Sequence, residues 1–375
     1  MKYRVFNKLE KPVSLLGMGC MRLPVINGNN EAIDEAAAIA LIRKAIDSGV
    51  NYVDTAYMYH GGNGEGVVGK ALRDGYREKV YLADKMPVWF ARNGKTLEDV
   101  FRDQLNRLQV DFIDLYLAHN LNEKYWKMAE EQNLFEFMRR KQEEGKVGLI
   151  GFSFHDELPL FKKIVDAYPW DFCQIQLNYM DEHYQAGVEG MKYAAGKGLP
   201  VVVMEPLKGG RLTDNIPKEV QNRWNCRPEK RTPAEWGFRW VADFPEVTTI
   251  LSGISNEEQL EENLRIFDGL EACSMTGDEK KLISEVAEEY RRRIRYSCTG
   301  CKYCDACPKG LDIPGAIDIY NDGCLYGDES VRSDLAFVAK EKKPDQCTKC
   351  GMCEEKCPQH LPIRRILDGL ARIIK

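Results

Sequence analysis

Thr96-Leu97-Glu98-Asp99-Val100-Phe101-Arg102-Asp103-Gln104-Leu105-Asn106-Arg107-Leu108 leads, after a short link, into Phe112-Ile113-Asp114-Leu115-Tyr116-Leu117-Ala118-His119. Leu97, Phe101, Leu105 and Leu108 share one helical face, and Thr96 is placed to cap it. The second run is short and apolar, as suits a strand buried on both sides. The same alternation recurs along the chain. Strands are expected over 14–19, 52–56, 80–85, 112–119, 149–154, 172–178, 200–206 and 248–253. Ile39, Ile42 and Ile46 mark a helix that Gly49 ends, and Leu260, Leu264 and Phe267 mark another after the last strand. Eight β/α units predict an α/β fold, a (β/α)8 TIM barrel. A doubly wound sheet is the rival, but no G-x-G-x-x-G follows the first strand. Residues 3–9 are expected in a hairpin closing the bottom of the barrel.

The C-terminal part reads differently. Cys298, Cys301, Cys304 and Cys307 form one run, and Cys347, Cys350, Cys353 and Cys357 form another, each followed by proline. The second has the bacterial ferredoxin spacing, in which three thiolates hold one 4Fe-4S cluster and the fourth crosses to its partner. That rule assigns Cys298, Cys301, Cys304 and Cys357 to one cluster and Cys347, Cys350, Cys353 and Cys307 to the other. Structural zinc prefers two pairs separated by a longer loop. Disulfides need an oxidising compartment, and no secretory signal opens the sequence. Cys307-Pro308-Lys309-Gly310-Leu311-Asp312-Ile313 echoes Cys357-Pro358-Gln359-His360-Leu361-Pro362-Ile363, an internal repeat. The expected organisation is a barrel over 1–285 and a small α+β, ferredoxin-like domain with two clusters over 286–375. A helix is expected over 278–295, and Asn321-Asp322-Gly323 reads as a turn. Cys20, Cys173, Cys226, Cys273 and Cys324 are expected as small core residues.

Fifty-three basic and 58 acidic residues give a net charge of -5, which supplies no surface for nucleic acid. No apolar run has the length of a membrane span. A cytoplasmic setting is expected. Arg291-Arg292-Arg293 reads as a solvated helix face, with docking of an acidic ferredoxin as the sharper alternative.

Asp54, Tyr59, Lys85 and His119 fall at or just beyond the C-terminal ends of consecutive expected strands, the face where barrel active sites lie. A tyrosine is a poor acid or base near neutrality unless perturbed, and a neighbouring ammonium lowers its pKa. Asp54 would orient Lys85, and His119 would hold a carbonyl or share the proton. Such a tyrosine can give a proton to a carbonyl oxygen while hydride reaches the carbon. His60 and His155 are expected near the same rim. Trp89, Phe90 and Trp224 are candidates for an aromatic pocket wall, and the loops 120–133 and 211–231 are expected to shape it.

This set resembles the aldo-keto reductases. The matching residues are Asp54-Thr55-Ala56-x-x-Tyr59, Glu65, Gly69, Lys85, Leu115-Tyr116-Leu117-Ala118-His119, Gly145-Lys146-Val147-x-x-Ile150-Gly151-Phe152-Ser153 and Gln259-Leu260-Glu261-Glu262-Asn263-Leu264. The tail resembles that of a subgroup with fused cluster domains. The resemblance implies a proton-donating Tyr59, NAD(P)H as hydride donor and a small carbonyl or alcohol as substrate. It places the cofactor on Ser153, Gln174, Met204, Pro206, Leu207, Gly253, Gln259, Glu262 and Asn263. Phe154 stands where the family usually has asparagine, and Met204 where it has an aromatic ring. Gly253 and Gln259 replace the two cations that hold a 2'-phosphate, leaving Arg223, Arg227 and Arg231 as substitutes. Nicotinamide moves electron pairs and each cluster moves one electron, so FMN in the barrel mouth is the alternative cofactor. A ferredoxin or flavodoxin is the expected electron partner. The rival readings are a carbonyl reductase whose clusters only brace the tail, and a non-catalytic electron-transfer module.

Overall fold

Eight strands close into a parallel barrel in the computed structural model, which describes residues 1–375 except 93, 215, 227–229, 299–300, 302, 305–306 and 375. They are β1 (Leu16–Gly19), β2 (Tyr52–Asp54), β3 (Tyr81–Met86), β4 (Ile113–Leu121), β5 (Val147–Phe154), β6 (Phe172–Gln176), β7 (Val201–Met204) and β8 (Val247–Gly253). Each pairs with its sequence neighbours, and β8 closes on β1 through Ile250 opposite Leu16. The helix Leu97–Leu108 starts in a full capping box: Asp99 N–H donates to Thr96 Oγ1 at 3.1 Å and Thr96 N–H to Asp99 Oδ2 at 2.9 Å.

Alternation along the strands decides what the barrel holds. Tyr52, Ala83, Leu115, Leu117, Leu149, Phe172, Val202 and Leu251 form one cluster inside it. Val53, Leu82, Tyr116, Ile150, Phe152, Ile175 and Val203 take the other phase and pack under the helices. The inner layer is crowded. A Cβ at Gly17 would lie 2.7 Å from Leu251 Cδ2, and one at Gly151 would lie 2.7 Å from the Phe172 carbonyl, so both positions need glycine. Two residues further along the inward phase, Asp54, Lys85, His119, Ser153, Gln174 and Met204 form the upper layer.

A two-stranded hairpin, Tyr3–Arg4 with Val13–Ser14, precedes β1 as expected. Its connection inserts Phe6 among the inner-layer side chains, edge-on to Phe172 at 5.6 Å. The floor of the barrel is therefore closed by apolar packing.

Contacts divide the chain into two compact units. One is Met1–Gly209 with Ala234–Thr276, and the other is Gly210–Pro233 with Gly277–Lys375. The expected boundary at 285/286 cuts the helix Gly277–Arg291, which lies wholly in the second unit. Arg223 pairs with Glu289 at 3.7 Å, and Arg231 pairs with Glu279, tying the segment after β7 to that helix. Trp224, expected in the pocket wall, is buried in this unit instead.

The described residues of the second unit are helical and form no strand, where an α+β fold was expected. The stretch 321–323 is not a turn: it lies inside the helix Ile313–Tyr326. Asn321 faces back to the incoming chain. Its Oδ1 accepts from the N–H groups of Arg295 and Tyr296, and its Nδ2 donates to the Tyr296 carbonyl at 2.7 Å. Of the scattered cysteines, Cys20 and Cys173 are buried, Cys324 is half-buried, and Cys226 and Cys273 are exposed rather than in the core. Among the described residues no helix is long and apolar enough to cross a membrane.

Phe6→Ala should leave a hole in the barrel floor and lower unfolding stability by about 3–5 kcal/mol. Urea denaturation followed by tryptophan fluorescence measures this, and a loss below about 1 kcal/mol would show that the floor is not packed by this ring.

Candidate active site

Lys85 reaches the barrel axis from β3 and is 1 % exposed. Its Nζ donates to Asp54 Oδ1 at 2.6 Å, to the Thr55 carbonyl at 2.7 Å and to the Tyr59 hydroxyl oxygen at 3.3 Å. The three N–H bonds of the ammonium are thereby accounted for. Tyr59 stands on the turn beyond β2, and its ring meets the His119 ring edge-on at 6.2 Å. The structure thus brings Asp54, Tyr59, Lys85 and His119 together.

Burial and charge set the protonation states. Burial raises the Asp54 pKa, while Lys85 pulls it down. Burial works against the Lys85 charge, but Asp54 and Tyr59 outweigh it and the ammonium is held more firmly than usual. Burial pushes Tyr59 up to about 12 despite the opposing pull of Lys85. From the sequence, the neighbouring ammonium was expected to lower this pKa. Tyr59 is instead a neutral phenol at physiological pH. Burial, then Lys85 and His155, hold His119 well below the usual histidine range, so its imidazole is neutral. Its Nδ1 is buried with no partner among the described residues. Trp89 tilts over His119 at 5.4 Å and stacks on Tyr125 at 4.4 Å, giving the mouth an aromatic side. Phe90 meets Tyr57 edge-on.

His60 has a structural role: its Nε2 accepts from Leu23 N–H at 3.3 Å, and its Nδ1 lies 2.7 Å from the Asn30 carbonyl. His155 stands at the rim with Gln185 and Glu205 beside it. Sequence reasoning missed what lies behind Lys85. Asp84 faces outward on β3, where its Oδ1 accepts from Lys85 N–H at 2.8 Å and its Oδ2 from Gln104 Nε2 at 2.7 Å. Glu65 lies against it and accepts from Arg107 at 3.0 Å, while its Oε1 has no N–H to accept from among the described residues. Burial and Glu65 raise Asp84 far above the carboxylate range, so a proton on Asp84 supplies that donor. A carboxylate on the helix-facing phase of a buried strand was the available signal.

Ser153, Gln174 and Met204 meet at the mouth. Ser153 Oγ accepts from Asn120 N–H at 2.8 Å, and Gln174 Nε2 points at Met204 Sδ, 3.4 Å away. Gln174 Oε1 is buried without a donor among the described residues. That orphan acceptor fits the amide N–H of a nicotinamide. Pro206 and Leu207 lie in the loop after β7. Gln259 Oε1 accepts from Ser255 N–H at 2.8 Å, and Asn263 Nδ2 donates to Ser252 Oγ at 3.0 Å. Both amides are therefore committed, Asn263 to the end of β8 and Gln259 to the loop after it, with Gly253 ending the strand and Glu262 half-exposed on the helix beyond. Arg223 and Arg231 are ion-paired in the second unit, and Arg227 lies outside the described residues.

In the second unit, Cys298, Cys301, Cys304 and Cys357 line one cavity together with Pro314, Ile317, Leu361 and Ile363. Cys307, Cys347 and Cys353 pack against the same small core, and Cys350 is exposed. Among the described residues no three of these thiols converge as they would on a single metal ion. Spread around a cavity, the first four suit a larger group in which each thiolate meets its own iron. Lys349 and Gly351 have positive φ, 59° and 83°. Lys349 N–H donates to Cys347 Sγ at 3.4 Å. The repeat is also structural. Gly310 and His360, at φ 61° and 50°, each donate an N–H to the cysteine three residues back, Cys307 and Cys357, and each turn leads into a helix. Within the Arg291–Arg293 run, Arg292 pairs with Glu289 and Arg293 with Glu219.

A model of the aldo/keto reductase family matches residues 15–274, and a model of the 4Fe-4S dicluster domain matches residues 297–361. L-galactose dehydrogenase of Arabidopsis thaliana is 25 % identical over 301 residues, covering 73 % of this chain and 89 % of its own. The NADH-specific methylglyoxal reductase of Escherichia coli (strain K12) is 24 % identical over 327 residues, covering 75 % and 96 %. The solved holo form of an aldo-keto reductase from Bacillus halodurans superposes with a TM-score of 0.63 at 25 % identity, covering 76 % of this chain and 96 % of its own.

Lys85→Met would leave Asp54 buried without its counter-charge, and a loss of about 3–5 kcal/mol in unfolding free energy is expected. Adding Asp54→Leu should restore most of it, because the apolar pair removes both charges. Denaturant melts of the two variants check this. A double variant no more stable than Lys85→Met would contradict the pairing.

Proposed function

The chain belongs to the aldo/keto reductase family, and we propose that it interconverts a small carbonyl compound and its alcohol at the barrel mouth, with Tyr59 as the proton donor. It is an oxidoreductase with a C-terminal 4Fe-4S dicluster domain. The observation that carries the proposal is the contact of a buried ammonium, Lys85 Nζ, with the hydroxyl of a neutral tyrosine, Tyr59.

A bound NAD(P)H supplies hydride. Gln174 Oε1 and Ser153 would hold its carboxamide, and Met204 would pack on the ring. The carbonyl oxygen is received between Tyr59 O–H and His119, whose neutral imidazole adds no charge. As negative charge develops on that oxygen, Tyr59 gives up its proton. The phenolate that forms is stabilised by Lys85, which already donates to the same oxygen. Asp54 fixes the lysine and moves no proton. A phenol raised to about 12 is protonated at neutral pH, the form that carbonyl reduction needs. One curated relative is named as NADH-specific and for methylglyoxal, an aldehyde, which supports a nicotinamide donor and a small carbonyl.

The eight cysteines would bind two 4Fe-4S clusters, Cys298, Cys301, Cys304 and Cys357 on one and Cys347, Cys350, Cys353 and Cys307 on the other. Bound clusters supply one-electron transfer, and the partner we propose is a ferredoxin or flavodoxin. The cytoplasm is the compartment that keeps such thiols reduced.

Tyr59→Phe should lower kcat for methylglyoxal reduction by about 10²–10⁴-fold while NAD(P)H affinity is kept. Unchanged turnover would refute the assignment. The wild-type rate should show no alkaline fall between about pH 7 and about pH 10, because the acid titrates only near 12. Anaerobic protein mixed with NADH or NADPH should bleach at cluster wavelengths, whereas an unchanged cluster spectrum during turnover would show that the clusters only brace the tail.

A further inference from the structure

The turn beyond β1 carries a cation that the chemistry above does not use. Arg22 ends the short turn Cys20–Arg22. Its backbone is held from two directions. The Arg22 carbonyl accepts from the Ser255 hydroxyl at 2.8 Å, and the N–H of the next residue, Leu23, donates to His60 Nε2 at 3.3 Å. From that fixed point the side chain crosses the rim. A Cβ built on Gly253 would meet Arg22 Cδ at 3.2 Å and its Cβ and Cγ at 3.3 Å. One built on Gly209 would meet Arg22 Nη2 at 2.6 Å. The aliphatic stem therefore lies on the end of β8, and the guanidinium reaches the loop after β7. Both contacts depend on glycine, since a side chain at either place would push the arginine away.

Among the described residues the guanidinium has no hydrogen-bond or ion-pair partner. Its neighbours on the rim are committed elsewhere. Lys208 donates to Asp181 at 2.8 Å, and Gln259 is closed onto Ser255 and Asn256. Gly253 and Gln259 carry no charge. The loops after the seventh and eighth strands are where barrels commonly hold phosphate. An arginine fork matches two phosphate oxygens.

We propose that Arg22 binds the diphosphate of the nicotinamide dinucleotide, an inference that rests on the nicotinamide reading above. The stem of Arg22 fills the room a long side chain at position 253 would take, so the cation on this rim comes from the turn after β1. The diphosphate is common to NADH and NADPH, and the contact strengthens both without choosing between them.

Calorimetric titration of the purified full chain with NADH, NADPH and ADP-ribose tests this, using wild type, Arg22→Gln and Arg22→Lys. Arg22→Gln should weaken all three by roughly tenfold, the loss of one charge-assisted contact, and should flatten the salt dependence of binding. Arg22→Lys keeps charge and stem and should recover part of the affinity, which separates a charge contact from a packing role. Unchanged affinity in Arg22→Gln would overturn the proposal. A loss confined to NADPH would also overturn it, by placing the guanidinium on the 2'-phosphate. If wild type binds none of the three ligands, the nicotinamide reading itself falls and takes this inference with it.

Discussion

A single ammonium buried at the centre of the barrel constrains everything around it. Lys85 cannot be solvated there, so Asp54, the Thr55 carbonyl and the Tyr59 oxygen must take its three N–H bonds. Those demands fix where β2 ends, because Thr55 must turn its carbonyl inward instead of continuing the strand. They also fix where the tyrosine stands. Burial, with the same charge beside it, keeps His119 neutral. Structure and chemistry at the mouth follow from the placement of one charge.

That charge is supported from below and behind. Below it, the inner layer closed by Phe6 denies water a path through the barrel. Behind it, Asp84 takes the Lys85 backbone N–H and shares a proton with Glu65, and Arg107 meets the one negative charge left on the pair. The dicluster unit solves a different problem with different means. Left-handed Lys349 gives its N–H to the Cys347 sulfur, and the repeated Cys-Pro turns each lead into a helix. One unit is an aldo/keto reductase barrel, and the other carries the 4Fe-4S dicluster domain.

The barrel was legible because its signal is periodic. Leu97 to Leu108 and the apolar runs after them repeat often enough to define the units, and the period of two puts Asp54, Lys85 and His119 on one inner face. The ligand cysteines were legible because thiolate spacing is local. What failed was non-local. The net pKa of Tyr59 depends on burial by the assembled mouth, which outweighs the adjacent ammonium that sequence does reveal. Residues 321–323 look like a turn, yet Asn321 is used to tie a helix to the preceding chain. The boundary at 285/286 misses because Arg223 and Arg231 fasten the segment after β7 to the helix Gly277–Arg291. Arg22 gives no signal in the sequence, since its place on the rim depends on two distant glycines.

The most direct test of the central claim is to follow the hydrogen that reaches carbon. Methylglyoxal is turned over with NADH or NADPH deuterated at C4 of the nicotinamide, on either face in turn, and the alcohol is examined by mass spectrometry. The account predicts that one of the two labelled faces delivers deuterium to the carbinol carbon, while the hydroxyl hydrogen comes from the medium. An alcohol that carries no label from either face would contradict hydride transfer at this site.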